Sequence, residues 1–184
     1  MIKFIVGLKN PGAEYAKTRH NAGAWFIDAF AVEHNLQFKL EKKFHLELAE
    51  DHTYFAKPIT YMNQSGLAVA SFAHFYQIQP EEILVVHDEL DLAPGVVRLK
   101  KGGGHGGHNG LRDIIACLGS SEFYRLRIGI GHPGDKDKVI GFVLQNPGLA
   151  EKIEIDQAID RALDVMPDVL AGEMNQAMKK LHTN

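Results

Sequence analysis

The sequence predicts an α/β fold, a single-domain mixed, mostly parallel β-sheet flanked by helices. Two short apolar runs rich in β-branched residues, Phe4–Leu8 and Ile83–Val86, are typical of parallel strands that are covered on both faces. Segments with helical apolar spacing separate such runs, and strands that alternate with helices indicate the α/β class. Residues 44–57 instead have the pattern of a β-hairpin, which makes the predicted sheet mixed.

The length of 184 residues and a hydrophobic share of 45% suit one core. We therefore expect a single catalytic domain over residues 1–184, with an acidic helical segment from about 149 to 184. No run of 18 apolar residues and no signal-peptide pattern occurs, so we expect a cytoplasmic protein. The single cysteine, Cys117, lies in an apolar run and is predicted to be a buried, inert thiol.

The net charge of −3 argues against a nucleic-acid partner, but its distribution is uneven. Residues 151–184 contain seven acids and four bases and account for the whole excess. Elsewhere, basic residues cluster around a glycine-rich loop, and such a local patch can bind phosphates. These residues are Arg98, Lys100, Lys101, Arg112, Arg125 and Arg127.

The first strand, Phe4–Leu8, leads into a polar loop. Asn10-Pro11-Gly12 breaks the strand, and Asn21 is predicted to be the N-cap of a helix over Ala22–Asn35. Open α/β sheets bind their ligands in loops that leave the carboxyl ends of strands. His20, next to the predicted cap, is therefore a candidate general base.

Two further strands end in polar loops. A predicted hairpin (44–50 and 53–57) is followed by the loop 57–66, in which Asn63 or Ser65 is predicted to cap a helix over 67–77. The strand 83–86 runs into His87-Asp88-Glu89-Leu90-Asp91. Three strand ends, counting the first, thus present polar side chains.

The second half of the chain begins with a strand over 96–101 and the loop Gly102–Gly110, which has six glycines in nine positions. Such a loop allows backbone N–H groups to approach a ligand closely. Asn109 is predicted to cap a helix over 111–118, and a strand follows at 125–131. The pattern leaves 139–144 undecided between helix and strand, and it predicts helices over 153–170, bent at Pro167, and over 173–181.

Four chemistries are compatible with these residues. A dinucleotide site would use Gly102-x-Gly104-x-x-Gly107, but its acidic partner, Glu122, precedes the next strand instead of ending it. A metal site could use His105-x-x-His108 or the cluster His87, Asp88, Glu89 and Asp91, although glycine-flanked histidines are poorly preorganised. A covalent nucleophile is disfavoured because no Gly-x-Ser-x-Gly motif is present.

The fourth chemistry is a water molecule activated by a general base. His20 would take the proton, and Asp88 would orient the ring and stabilise the imidazolium that forms. Amides of Asn10, Asn63 and Asn109 could polarise a carbonyl group and recognise a peptide bond.

Five motifs resemble bacterial peptidyl-tRNA hydrolase, in order, from the first strand to about residue 144. They are Gly7–Gly12 with Tyr15 and Arg19–Gly23, Lys57–Gly66, His87–Asp91 with Pro94-Gly95, Gly102–Gly110, and Arg125–Gly134. The acidic C-terminal helices match only in general character. Tyr61 stands where the family pattern has phenylalanine, and Arg98 where it has lysine; an aromatic ring and a cation are retained.

The resemblance implies hydrolysis of the ester between a peptide and tRNA, by a cytosolic monomer without metal or other cofactor, membrane or obligate protein partner. It implies that His20 is the base, that Asp88 keeps it basic, and that Asn10 distinguishes N-blocked from free aminoacyl-tRNA. It also implies lid segments near 92–101 and after Gly134. The implied contacts with substrate or tRNA are Tyr15, Tyr61, Met62, Asn63, His108, Asn109, Arg98, Lys100, Lys101 and Arg127. A metallohydrolase and a non-catalytic RNA-binding module remain as alternatives.

Overall fold

Seven strands form one sheet in the computed structural model, which describes residues 1–183. They are β1 (Phe4–Gly7), β2 (Lys39–Glu41), β3 (Leu46–Asp51), β4 (Thr53–Pro58), β5 (Ile83–Glu89), β6 (Val97–Lys101) and β7 (Tyr124–Gly129). Their order across the sheet is β2-β3-β4-β1-β5-β7-β6. The central strands β4, β1, β5 and β7 are parallel, whereas β2, β3 and β6 join by antiparallel pairing. The predicted mixed, mostly parallel sheet is confirmed.

The helices are α1 (Ala22–His34), α2 (Ser65–Phe75), α3 (Asn109–Leu118), α4 (Val139–Val143), α5 (Leu149–Asp164), α6 (Met166–Leu170) and α7 (Met174–His182). The undecided segment 139–144 is thus mostly helical. The predicted long helix is divided near its expected bend, and Pro167 lies in the first turn of α6, where its missing N–H is no loss. Within residues 1–183, every helix is too short or too polar to cross a membrane.

The sheet separates two apolar clusters because side chains alternate along its central strands. Ile5 and Leu84 contribute to the cluster under α1 and α5–α7, which we call the α1 side. Phe4 and Val85 contribute to the cluster under α2 and α3, the α3 side. Apolar residues on both faces of β1 and β5 are what the wholly apolar runs predict.

The hairpin of β3 and β4 is confirmed, with register from Leu46 opposite Pro58 to Asp51 opposite Thr53. The sequence pattern does not predict the edge strand β2, because its three largely exposed residues show no buried alternation. Cys117 is exposed, so the prediction of a buried thiol was wrong. It lies off the stripe formed by Leu111 and Ile114, which carries the buried side of α3.

Of the three predicted caps, that of Asn21 is confirmed in position, and the other two were wrong. Asn21 stands at the N-cap position of α1, but its side chain makes no capping bond. Helix α2 begins at Ser65, whose hydroxyl donates to the carbonyl of Met62. Asn109 is the first residue of α3, and the preceding His108 caps that helix instead. Residue 184, the last of the domain predicted over 1–184, lies outside the described residues.

The carboxyl ends of β1, β4 and β5 meet at one edge of the sheet because these strands are parallel. A close approach of α1 to β5 completes this arrangement. A Cβ atom on Gly23 would lie 2.2 Å from the carbonyl oxygen of Val86, so the contact requires glycine. The turn Arg19–Asn21 is thereby held against the end of β5.

Candidate active site

A cleft of about 600 Å³ opens at this edge of the sheet. Its polar lining includes seven residues named from the sequence: Asn10, His20, Tyr61, Asn63, Asp88, His108 and Asn109. Met62 lines it as well. The apolar lining consists of Leu90 and of a segment that we call the apolar wall, formed by Val139, Ile140, Val143 and Leu144. The structure therefore brings together most of the predicted site residues.

His20 and Asp88 form a buried pair at the floor of the cleft. The Nδ1 atom of His20 lies 2.8 Å from Oδ2 of Asp88, and the two residues are 8% and 3% exposed. Because an ionised carboxylate only accepts hydrogen bonds, Nδ1 carries the proton in the neutral ring. The Nε2 lone pair is then the basic site of His20.

His108 binds the other oxygen of the same carboxylate. Its Nε2 lies 2.8 Å from Oδ1 of Asp88, and its Nδ1 accepts from the backbone N–H groups of Gly110 and Leu111. An Nδ1 that accepts two hydrogen bonds leaves the proton on Nε2, which donates to Asp88. His108 thus links the glycine loop and the start of α3 to the carboxylate.

The carboxylate of Asp88, which both His20 and His108 contact, controls the protonation of His20. Burial by itself lowers the pKa of His20, but the charge and hydrogen bond of Asp88 outweigh it and raise the pKa above the ordinary histidine value. Burial would raise the pKa of Asp88, and the two histidines more than offset it, so the pKa of that carboxyl is lowered. The neighbouring His87 differs, because burial, with the charge of His108, lowers its pKa to about 3.

Asn10 is held in one orientation by a reciprocal pair of bonds. The side chain of Asn21 accepts from the backbone N–H of Asn10 at 2.8 Å and donates to its carbonyl at 3.0 Å. The Oδ1 atom of Asn10 accepts from the backbone N–H of Met62 at 2.7 Å. With the oxygen occupied, the Nδ2 amide is the group that Asn10 can offer as a donor in the cleft.

The aromatic residues lie at the rim. Tyr61 is 56% exposed and lines the cleft, and the ring of Tyr15 stands edge-on to it with centroids 6.5 Å apart. Tyr15 itself is outside the cleft lining, so its predicted contact with substrate would have to be made at the rim.

The predicted phosphate contacts are not in the cleft; they lie on neighbouring strands. Arg98 is opposite Arg127, and Lys100 is opposite Arg125, across the pair β6–β7. We call these four residues the basic face. Lys100, Arg125 and Arg127 line a second cavity of about 260 Å³, which is also bordered by Gly106 and Glu89 of the main cleft.

The members of the basic face have different partners. Nε of Arg127 donates to Glu89 at 2.9 Å, and Nη1 of Arg98 donates to the carbonyl of Val97. Arg125 is 3% exposed and donates to carbonyls of Gly103, Gly104 and Ser121, so it shapes the glycine loop. Lys100 is the exposed cation of the set, while the neighbouring Lys101 lies over the ring of Tyr124.

One arrangement in the cleft could accept a metal ion. His20, Asp88 and His108 place three ligand atoms within 4.8 Å of one another. Asp88 and His108 were among the metal ligands considered from the sequence. The other candidates are bonded elsewhere, because His105 accepts from the N–H of Gly107 and His87 bonds to the carbonyl of Asp88. In the observed geometry the ring nitrogens that face Asp88 are both engaged in 2.8 Å hydrogen bonds.

The sequence pattern did not reveal the contacts that Asn21 and Arg19 make in the site, nor the apolar wall. The pattern around Asn21 predicts a helix N-cap and gives no indication of its hydrogen bonds to Asn10. The wall comes from the segment that the pattern left undecided. Polar residues that follow the other apolar runs are visible in the sequence pattern, which is why they were named as candidates.

Comparison with known proteins places this chain in a family. The family model for peptidyl-tRNA hydrolase matches residues 4–184. The peptidyl-tRNA hydrolase of Yersinia enterocolitica is 57% identical over 188 residues, covering 99% of this chain and 95% of the relative, and that of Coxiella burnetii is 53% identical over 183 residues, covering 99% and 98%. The crystal structure of the Acinetobacter baumannii peptidyl-tRNA hydrolase superposes with a TM-score of 0.95 at 50% identity, covering 98% of this chain and 94% of that one.

Proposed function

The chain belongs to the peptidyl-tRNA hydrolase family and is an enzyme that hydrolyses peptidyl-tRNA, and we propose that His20 is the general base of this reaction, supported by Asp88. The observation that carries the proposal is the 2.8 Å hydrogen bond between them at the floor of the cleft. It directs the Nδ1 proton to the carboxylate and leaves Nε2 free to accept a proton.

The reaction would proceed by attack of water on the ester carbonyl. Nε2 of His20 takes a proton from the water as its oxygen bonds to the carbonyl carbon, and Asp88 stabilises the imidazolium. When the tetrahedral intermediate collapses, the ribose oxygen leaves and takes the proton back from His20. Asp88 stays ionised throughout, in keeping with its lowered pKa.

Amide side chains would handle the peptide. Asn10 offers its Nδ2 group, because Met62 and Asn21 hold the rest of the residue. Asn63 and Asn109 line the same cleft and can donate to carbonyl oxygens. An amide that must donate to the peptide provides a means of selecting an N-blocked substrate over a free amino acid.

The basic face would bind a tRNA phosphate. Like charges directly opposite each other on paired strands destabilise a sheet, and two such pairs, Arg98–Arg127 and Lys100–Arg125, adjoin here. An anion at the second cavity would relieve that repulsion. Phosphate contacts of this kind position a nucleic acid without reading its sequence.

One assay tests the proposal: release of N-acetylated and of free amino acid from charged tRNA, with EDTA present. We expect hydrolysis of the N-acetylated ester, sparing of the free one, and no effect of EDTA. Asn10→Asp should lower the rate on the blocked ester and reduce the discrimination, and Asn175→Asp, an exposed change on α7, should not. Loss of activity with EDTA would favour the metallohydrolase, and tRNA binding without hydrolysis the RNA-binding module.

We further propose that the chain acts as a cytoplasmic monomer with one domain over residues 1–184, and that its substrate is its only required partner. The continuous sheet and the apolar clusters on its two sides support one folding unit. Light scattering at working concentration tests the monomer, and fractionation tests the location.

A further inference from the structure

Arg19 joins the turn that carries His20 to the apolar wall of the cleft. It is 6% exposed, and its guanidinium reaches the segment of α4 and α5 more than 120 positions along the chain. Nη1 donates to the carbonyl oxygen of Phe142 at 2.9 Å, and Nη2 pairs with Glu151 at 3.3 Å. The Cζ atom lies 3.9 Å from the centre of the Phe142 ring.

The backbone of the same residue makes a further bond to this segment. The N–H of Arg19 donates to the carbonyl of Gln145 at 3.0 Å. Arg19 therefore contacts the last turn of α4, the residues that follow it and the first turn of α5. Its own chain continues directly into His20.

Helix α4 needs such an anchor. It has five residues, and helices this short are not stable by themselves in water. Only Val143 is buried in it, while Ile140 is 72% exposed. The position of the apolar wall therefore depends on the contacts that this segment makes with the rest of the protein.

From this geometry we infer that Arg19 is a positioning residue, which sets the distance of the apolar wall from the base His20. The inference rests on the proposed function, because it concerns the cleft in which His20 acts. The planar guanidinium is suited to this task, since it donates in a fixed geometry and stacks on an aromatic ring at the same time. A lysine would retain the charge but neither the paired donors nor the stacking.

The apolar wall contacts substrate in the ground state and in the transition state. Its displacement weakens binding in both states equally, and a loss of this kind raises KM more than it lowers kcat. In Arg19→Lys we expect kcat/KM to fall by between about 10- and 100-fold, mostly through KM, because displacements near 1 Å have effects of this size. Its pH profile should keep the wild-type acid limb, because the charge next to His20 is retained.

The experiment compares Arg19→Lys and Phe142→Leu with wild type by steady-state kinetics on N-acetylaminoacyl-tRNA. Phe142 is half-buried, so its variant keeps the fold if Arg19→Lys does not. Trp25, the single tryptophan, reports on the segment by fluorescence, because it donates to the carbonyl of Ala16 and lies under Lys152 of α5. The matched control is Lys180→Gln, which removes an ion pair between α7 and α6.

We expect Arg19→Lys and Phe142→Leu to raise KM and to alter Trp25 emission, while their melting temperatures change little. Lys180→Gln should leave both KM and the emission unchanged. The inference would be overturned by a wild-type KM in both variants, or by an equal loss of kcat/KM in the two variants and the control. Failure of the proposed function is distinguishable, because it would appear as full activity in His20→Ala, whatever the Arg19 result.

Discussion

Nδ1 of His20 lies 2.8 Å from Oδ2 of Asp88, although the two residues are 68 positions apart in the chain. His20 belongs to the loop after β1, and Asp88 lies near the end of β5, the strand paired in parallel with β1. Parallel pairing alone places both at one edge of the sheet, and the close approach at Gly23 brings them into contact.

Replacing His20 with alanine should lower kcat by about 10²–10⁴-fold, the usual contribution of a positioned general base. The measurement is single-turnover hydrolysis of N-acetylaminoacyl-tRNA by folded protein. His74→Ala is the control, because His74 is an exposed histidine on α2, and it should keep the wild-type rate. Near-full activity in His20→Ala would reject the assignment of the base.

The pH dependence of kcat/KM should follow His20. The base must be neutral to accept a proton, so the rate falls as pH drops through its pKa. Because Asp88 raises that pKa, the acid limb should lie above the ordinary histidine value.

In Asp88→Asn the charge that attracts the imidazolium of His20 is removed, while the ring stays buried. The pKa of His20 therefore falls, and the acid limb should move to lower pH. The plateau rate should fall by about 10²–10⁴-fold, since the imidazolium loses its partner. A pH–rate series for the two proteins checks both effects. An unmoved limb would mean that another group titrates.

Reversing the charge of Lys100 should weaken tRNA binding. We expect Lys100→Glu to raise the Kd and to reduce the slope of log Kd against log salt by about 1, the value for one phosphate contact. Binding titrations at several salt concentrations measure this slope. Lys179→Glu changes the net charge equally on the exposed surface of α7, and it should leave the slope unaltered. If both variants behave alike, the tRNA phosphate binds elsewhere.

His87 should make the fold less stable in acid. Its pKa is about 3 in the folded protein because of burial, whereas in the unfolded chain it returns to the ordinary value. Between these values the unfolded state binds the additional proton, so the free energy of unfolding falls as pH decreases, by at most about 1.4 kcal/mol per pH unit.

Urea unfolding between pH 4 and 6 measures this slope. His87→Gln cannot take up the proton and should have a shallower slope than wild type. His20, with its raised pKa, contributes in the opposite sense and only above the ordinary histidine value, so it does not obscure the result. Equal slopes in both proteins would contradict the role of His87.

Much of the fold could be predicted because its signals are local. The apolar run at Ile83–Val86 predicts a strand covered on both faces, and β5 is one, although it continues through Glu89. The strand β2 was missed because Lys39–Glu41 is largely exposed and carries no alternation. Its pairing with β3 depends on the hairpin next to it.

The sequence by itself determined that Asn10 and His20 lie in the loop after one buried strand and that Asp88 lies near the end of another, because apolar runs and turn residues are readable along the chain. Only the tertiary structure decided their partners: His108 on the second oxygen of Asp88, and Asn21 on the backbone of Asn10. The physical reason is that a hydrogen bond depends on two groups meeting in space. Asn21 has the same local pattern whether it caps a helix or binds a residue eleven positions away.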